Sequence, residues 1–334
     1  GWVMVGVTFL AALISAGTVG APGVFIVPLQ KEFGWTTAEI SSALSIRFIL
    51  FGLMAPFAAA LMNRYGLRNV TLAALLTVVV ALVCLTLGLA AFAVLMIMRD
   101  RPSDVGLRPF GDLGTEPLPA PPVNNAPIMA AALGTLRDAS KSRVFWILFA
   151  TFFICGASTN GLVQVHLIPM CLDFGIPQVQ AASLLAAMGI FDFFGTLVSG
   201  WLSDRYDNRQ LLFWYYGLRG LSLLFLPFTN FSFYGLSLFA MFYGLDWIAT
   251  VPPTVRLTAQ RFGPERANLV FGWIFAGHQL GAGTAAYGAG LSRTLLASYL
   301  PAFFVAGALC VVAAMITLAI SRPAKLASAA SSAK

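Results

Sequence analysis

The sequence predicts an all-α polytopic membrane protein built from two similar helix bundles, and three observations predict it. The first is composition. Of 334 residues, 59% are hydrophobic and 10% charged, and the mean hydropathy is +0.84, whereas soluble domains average about 45–50% apolar and about 25% charged. The second is a series of apolar runs, most of 20–28 residues, each enough for a tilted helix across about 30 Å of hydrocarbon. The third is a short charged turn that occurs twice, at the ends of two apolar runs. Together they exclude a cytosolic enzyme, a disordered chain and a disulfide scaffold. Continuous apolar runs also exclude an outer-membrane barrel, whose strands alternate over about 10 residues.

The predicted spans, in order, are 2–29, 37–62, 69–98, 144–172, 178–202, 210–228, 231–253, 267–292 and 295–320. The first apolar run is too long for the core of a cleavable signal peptide. It opens at Gly1 rather than Met, so a preceding segment is expected. The stretch 99–143 holds seven prolines and reads as an extended linker, with a surface helix from about Met129 to Ala139. It separates an N-terminal bundle, 1–98, from a six-helix C-terminal bundle, 144–322, and 323–334 forms a tail. Cys84, Cys155, Cys171 and Cys310 lie in or beside apolar runs without metal-ligand spacing and read as packing residues.

Positive charge orients the chain. Sixteen of the 20 Lys and Arg fall after the second span (Arg64, Arg68), in the linker, after the fifth span (Arg205, Arg209), after the seventh (Arg256, Arg261, Arg266) and in the tail. The positive-inside rule puts these loops and both termini in the cytoplasm, leaving Lys31 and Arg293 outside. One run breaks the parity. Residues 69–98 start and end at basic loops, and 30 residues are too few for two crossings. A stretch is therefore expected to be missing here; restoring four crossings takes about 70 residues.

The repeated turn reads Asn63-Arg64-Tyr65-Gly66-Leu67-Arg68 in the first copy and Asp204-Arg205-Tyr206-Asp207-Asn208-Arg209 in the second, the latter preceded by Gly200. Two copies in parallel orientation are expected of a transporter built from two like halves. Here the chain resembles the major facilitator superfamily, whose loop signature is Gly-x-x-x-Asp-Arg-x-Gly-Arg-Arg. The second copy keeps Gly200, Asp204, Arg205 and Arg209, with Asp207 where Gly is usual. The first keeps Arg64, Gly66 and Arg68, with Ala59 for Gly and Asn63 for Asp. The stretches Gly23–Trp35 and Arg99–Leu107 are similar to bacterial monocarboxylate-porter-like members. The resemblance implies a twelve-helix fold of two pseudo-symmetric bundles, with helices four and five not recognisable here. It also implies a cytoplasmic gate formed by the two turns.

Ionisable groups at membrane depth are functional candidates. Arg47, within the second span, suits a carboxylate substrate, which a guanidinium grips bidentately. Asn160 and Gln164, four apart on one helix face, and His278, mid-span, are further candidates for lining a substrate cavity. His166 reads as interfacial, near the outer end of the Asn160 helix. Arg219 and Asp246, on consecutive helices, read either as a mutual ion pair or as binding and coupling groups. Asp192 is the favoured carrier of a coupling proton, with Asp246 second. A carboxylate at that depth is costly while charged, and Asp192 has Thr196, not a basic residue, one turn on. Gly277 and Gly281 permit close helix approach. Pro252-Pro253 is expected to end or kink the Asp246 helix.

The expected function is secondary transport of a small organic anion with protons, by alternating access, in a bacterial inner membrane, by a monomer bathed in lipid. The alternatives are an exporter of amphipathic compounds, which the 28 Phe allow, and a non-transporting membrane receptor. No nucleophile–base constellation, metal cluster or phosphate loop points to an enzyme, cofactor or ATP drive. No basic cluster with interleaved aromatics points to nucleic acid.

Overall fold

The computed structural model describes residues 22–82 and 127–320, and the side chains of 23–77 and 127–320. Every regular element among them is helical: α1 (Pro22–Phe33), α2 (Thr37–Tyr65), α3 (Leu67–Leu82), α4 (Ile128–Ala139), α5 (Arg143–Gly156), α6 (Gln164–Asp173), α7 (Gln178–Ser203), α8 (Asn208–Phe225), α9 (Phe233–Asp246), α10 (Val251–Phe262), α11 (Pro264–Leu296) and α12 (Leu300–Thr317). Six described segments are long and apolar enough to cross a membrane, namely Thr37–Tyr65, Arg143–Asp173, Gln178–Ser203, Asn208–Thr229, Phe233–Phe262 and Leu300–Thr317. The predicted run 267–292 corresponds to the 33-residue α11, which is less apolar because neighbouring helices rather than lipid cover so much of it. Most of the first predicted span and the second half of 69–98, where the parity breaks, lie outside the described residues. So do 99–126 of the linker and the tail. The linker helix is α4.

The chain divides into two compact units, one of Gly1–Pro22 with Pro56–Gly134 and the other of Gly23–Ala55 with Thr135–Lys334. In the first, α2 passes into α3 through Gly66, whose φ of +84° is open to glycine at little cost. Its amide closes the helix end on the Met62 carbonyl at 3.0 Å.

In the second unit a continuous apolar core runs through α5 to α12, with Phe145, Phe152, Leu212, Tyr216, Phe239 and Phe303 wholly or almost wholly buried. The helices touch backbone to backbone at glycines. A Cβ on Gly161 would overlap Ala282, and one on Gly281 would overlap Phe153, so α11 lies directly on the α5–α6 segment. The predicted close approach at Gly281 is thus observed. Gly244 against the Met188 carbonyl joins α9 to α7 in the same way, and Gly220 against the Gly307 carbonyl joins α8 to α12. Residues Gly23–Ala55, which hold most of α1 and the first part of α2, belong to this unit: Ile26, Ile40 and Phe48 share a small core with Val165, Ala282 and Ala286.

Two local features depart from regular helix. Ala157–Val163 is a π-helical segment between α5 and α6, in the middle of a 31-residue apolar span; such segments often mark functional sites. The Asp246 helix ends at that residue, and Trp247–Thr250 is a turn. Pro252 and Pro253 do not end this helix. They open the next one, in its first turn, where a missing N–H costs nothing. Arg256 and Arg261, read from sequence as loop charges, are therefore helical.

Candidate functional site: a broken helix held by three neighbours

The break between α9 and α10 leaves backbone groups that a continuous helix would have paired. In lipid each must find a partner inside the protein. Side chains of α8 and α7 supply them, and α5 holds the Thr250 side chain. Arg219, on α8 and fully buried, donates from Nε to Asp246 Oδ2 at 2.7 Å. From Nη2 it donates to the carbonyls of Asp246 at 2.5 Å and Trp247 at 3.0 Å, and from Nη1 to Cys155 Sγ on α5 at 2.9 Å. A guanidinium suits the end of α9, where helix carbonyls converge. On the far side of the break, the Ile248 amide donates to Asp192 Oδ1 on α7 at 2.8 Å. Ser199 Oγ, also on α7, donates to the Ala249 carbonyl at 2.5 Å. Thr250 Oγ1 lies 3.4 Å from Cys155 Sγ. Every residue from Asp246 to Thr250 is thus held by a side chain of α5, α7 or α8.

The sequence-predicted residues distribute as follows. Arg219 and Asp246 form the expected ion pair. Asp192 sits close by, half-buried, and takes a second hydrogen bond from Thr196 Oγ1 at 3.1 Å. Among the described residues its hydrogen bonds come from neutral donors. His278, on α11, is buried against Cys155, between the rings of Phe152 at 4.9 Å and Phe275 at 5.5 Å. Its Nδ1 has no hydrogen-bond partner among the described residues. Arg47, on α2, is half-buried with its guanidinium 4.8 Å from the Phe48 ring centroid. One turn on, Phe51 meets Phe275 edge to face at 5.9 Å, so the Arg47 face of α2 leads to the His278 aromatic group.

Asn160 lies in the π-helical segment and Gln164 directly follows it. Both are half-buried, and Gln164 Oε1 has no partner among the described residues. His166 is fully buried, its Nε2 2.9 Å from the Ala286 carbonyl, because α6 is covered by α11 at that level.

In the repeated turns, Arg64 lies over Tyr65 at 5.4 Å. Asn63 and Arg64 fall within the last turn of α2, and Arg68 within the first of α3. In the second copy Asp204 pairs with Arg256 of α10. Arg205 lies over Trp201 at 4.3 Å. Arg209 binds Asp207 through Nε and Nη2, and reaches the Ile320 carbonyl with Nη1 at 2.8 Å. Asp207, where the resemblance expects Gly, has φ −65° and caps α8 by accepting from the Arg209 amide, so no glycine is needed there.

Among the described residues of this unit, two cavities bear on the site. A cleft of about 790 Å³ lies between α7 and α10, with Thr196, Gly200, Ser203 and Asp204 on one wall and Val251, Val255, Arg256 and Gln260 on the other. Sequence reasoning missed Arg256 and Gln260 as site residues. Their i, i+4 spacing was the available signal, hidden once the prolines were taken as a helix end. The second cavity, about 220 Å³, is polar and lies where α1 and α2 meet α6 and α11. There Arg293 Nε donates to Asp173 at 2.7 Å, Gln30 Nε2 to Thr37 at 2.9 Å and the Ala38 amide to Thr294 at 3.3 Å.

Comparison with known proteins agrees with this architecture. Matches to the Major Facilitator Superfamily cover residues 8–99, 80–286 and 167–334. The chain is 27% identical over 168 residues to the uncharacterized MFS-type transporter YcxA of Bacillus subtilis (strain 168), covering 48% of this chain and 40% of that protein. It is 30% identical over 141 residues to monocarboxylate transporter 12-B of Danio rerio (40% and 28%). With monocarboxylate transporter 13 of Rattus norvegicus it shares 31% over 147 residues (43% and 34%). The matches thus span less than half the length of these relatives. With matches that together run from residue 8 to residue 334, this multi-pass, all-helical membrane protein belongs to the Major Facilitator Superfamily.

Proposed function

We propose that the chain is a secondary transporter that carries a small organic anion, a monocarboxylate, together with protons by alternating access. Family membership and the names of the relatives favour monocarboxylate transport. The observation that carries the anion reading is Arg47, a half-buried cation within a membrane-crossing helix, one turn from the Phe51–Phe275 contact. Its planar fork would take the carboxylate while the aromatic rings take the substrate's carbon skeleton. Asn160, Gln164 and His278 would contribute polar contacts. Arg219 is less suited to substrate, since four of its five N–H groups already have acceptors.

Between the two candidates for the coupling proton, Asp246 is tied to Arg219, whereas Asp192 is held by neutral donors. This favours Asp192. We further propose that the protein sits as a monomer in a bacterial cytoplasmic membrane. Its termini, its linker and both gate turns (Asn63–Arg68; Gly200, Asp204, Arg205, Arg209) would face the cytoplasm, in agreement with the distribution of basic residues.

The test is transport by the Asp192→Asn protein in liposomes. Proton-driven accumulation of a monocarboxylate is expected to be lost while exchange of internal for external substrate continues. If Asp192→Asn accumulates like the parent and Asp246→Asn does not, the coupling role passes to Asp246. Normal accumulation by both removes it from either. The aromatic group around His278 also favours the second reading, export of amphipathic compounds. Transport of a hydrophobic cation, with none of any carboxylate, would establish that reading instead.

A further inference from the structure

The segment α10 is a discrete rod. It is bounded at one end by the Trp247–Thr250 turn and at the other by Gly263, whose φ of +84° separates it from α11. A continuous helix through the turn would lack two successive hydrogen bonds, those from residues 252 and 253 to the carbonyls of Ile248 and Ala249, because both positions are proline. The two sides of the turn are tethered to different neighbours. Arg219 of α8 holds the α9 side, at Asp246 and Trp247. Asp192 and Ser199 of α7 hold the α10 side, at the Ile248 amide and the Ala249 carbonyl. The cleft opens between α7 and α10, starting beside these tethers at Thr196 and Ile248 and running to the Asp204–Arg256 pair.

We propose that Trp247–Thr250 is a hinge and that Asp192, with Ser199, is the positioning residue that fixes α10 against α7 and so sets the width of the cleft. The Asp192 carboxylate accepts from the Ile248 amide, within the turn itself. Release of that amide lets the turn end of α10 swing away from α7, about its Gly263 end and its buried Leu257, while Arg219 keeps α9 in place. Oxygen acceptance, not charge, is what this role needs, so asparagine should replace aspartate here. The inference goes beyond the transport reading and needs no substrate.

The experiment measures the distance between spin labels on two exposed positions, Val198 of α7 and Gln260 of α10, in the full chain in lipid. The parent and Asp192→Asn are expected to share one distribution. Asp192→Ala is expected to shift it, adding a longer population, because the amide loses its acceptor. Should Asp192→Ala fail to fold, Ser199→Ala carries the same test by releasing the Ala249 carbonyl, with a shift in the same direction. A distribution unchanged in the alanine variant, or Asp192→Asn displaced as far as Asp192→Ala, would overturn the proposal. Because the labels report without transport, a shifted distance in a protein that carries no monocarboxylate would overturn the substrate reading and leave the hinge standing.

Discussion

Replacing Arg219 by leucine should destabilise the second unit severely, and partner removal should partly repair it. The side chain is fully buried and provides hydrogen bonds to Asp246 Oδ2, to the carbonyls of Asp246 and Trp247 and to Cys155. Without it, Asp246 becomes a buried charge with no counter-ion at its side, a change that costs about 3–5 kcal/mol. Its Oδ1 already has no hydrogen-bond partner among the described residues, so nothing there absorbs the loss. In Arg219→Leu/Asp246→Leu the charge is gone, while the two orphaned carbonyls, at about 1–3 kcal/mol each, burden the single and the double variant alike. The double variant is therefore expected to be more stable than Arg219→Leu alone by about 3–5 kcal/mol, the cost of the uncompensated charge that only the single variant carries. Reversible unfolding in mixed micelles measures all four corners of the cycle. A loss below about 1 kcal/mol for Arg219→Leu, as for an exposed pair, would refute the reasoning. So would a double variant no better than the single one. A stable Arg219→Leu protein that had lost substrate affinity would instead return Arg219 to the binding site.

Three further outcomes follow from the same geometry. Arg47→Lys keeps the charge but loses the planar fork, so uptake of a monocarboxylate should fall at least about tenfold in affinity, about 1.4 kcal/mol, with thermal stability unchanged; unaltered uptake removes Arg47 from the site. Gly281→Val should destabilise by more than about 3 kcal/mol, a core overpacking penalty made worse by backbone overlap with Phe153, whereas Gly288→Ala, with nothing within 4 Å of its Cβ in the interior of α11, should be more stable than the parent by up to about 1 kcal/mol. A cysteine introduced at Ser103, in the linker, should resist an impermeant thiol reagent added outside intact cells; modification from outside reverses the proposed orientation.

Much of the helical layout was legible because lipid leaves a continuous apolar record. The predicted runs 37–62 and 178–202 correspond to Thr37–Tyr65 and Gln178–Ser203. The reading failed where one local signal has two meanings. Proline stops a helix from inside but starts one from the first turn. Pro252-Pro253 therefore hid α10, and with it the cleft wall that carries Arg256 and Gln260. The π-helical segment left no trace in the residue pattern; it packs directly against α11 through Gly161. At the site, the Arg219–Asp246 pair could be anticipated because two opposite charges at membrane depth need one another. The tethers of Asp192 and Ser199 could not, because their partners are backbone groups, which every residue carries alike.

The most direct measurement of the central claim is proton movement coupled to uptake by the purified parent chain in liposomes. With a pH-sensitive dye inside and lactate, benzoate or a hydrophobic cation offered outside, an imposed inward proton gradient should drive accumulation of a carboxylate, and a carboxylate gradient alone should acidify the interior. A protonophore should abolish the first and the Arg47→Lys protein should be slower in both. Carboxylate uptake that moves no protons would contradict the coupling, and uptake confined to the hydrophobic cation would contradict the substrate class.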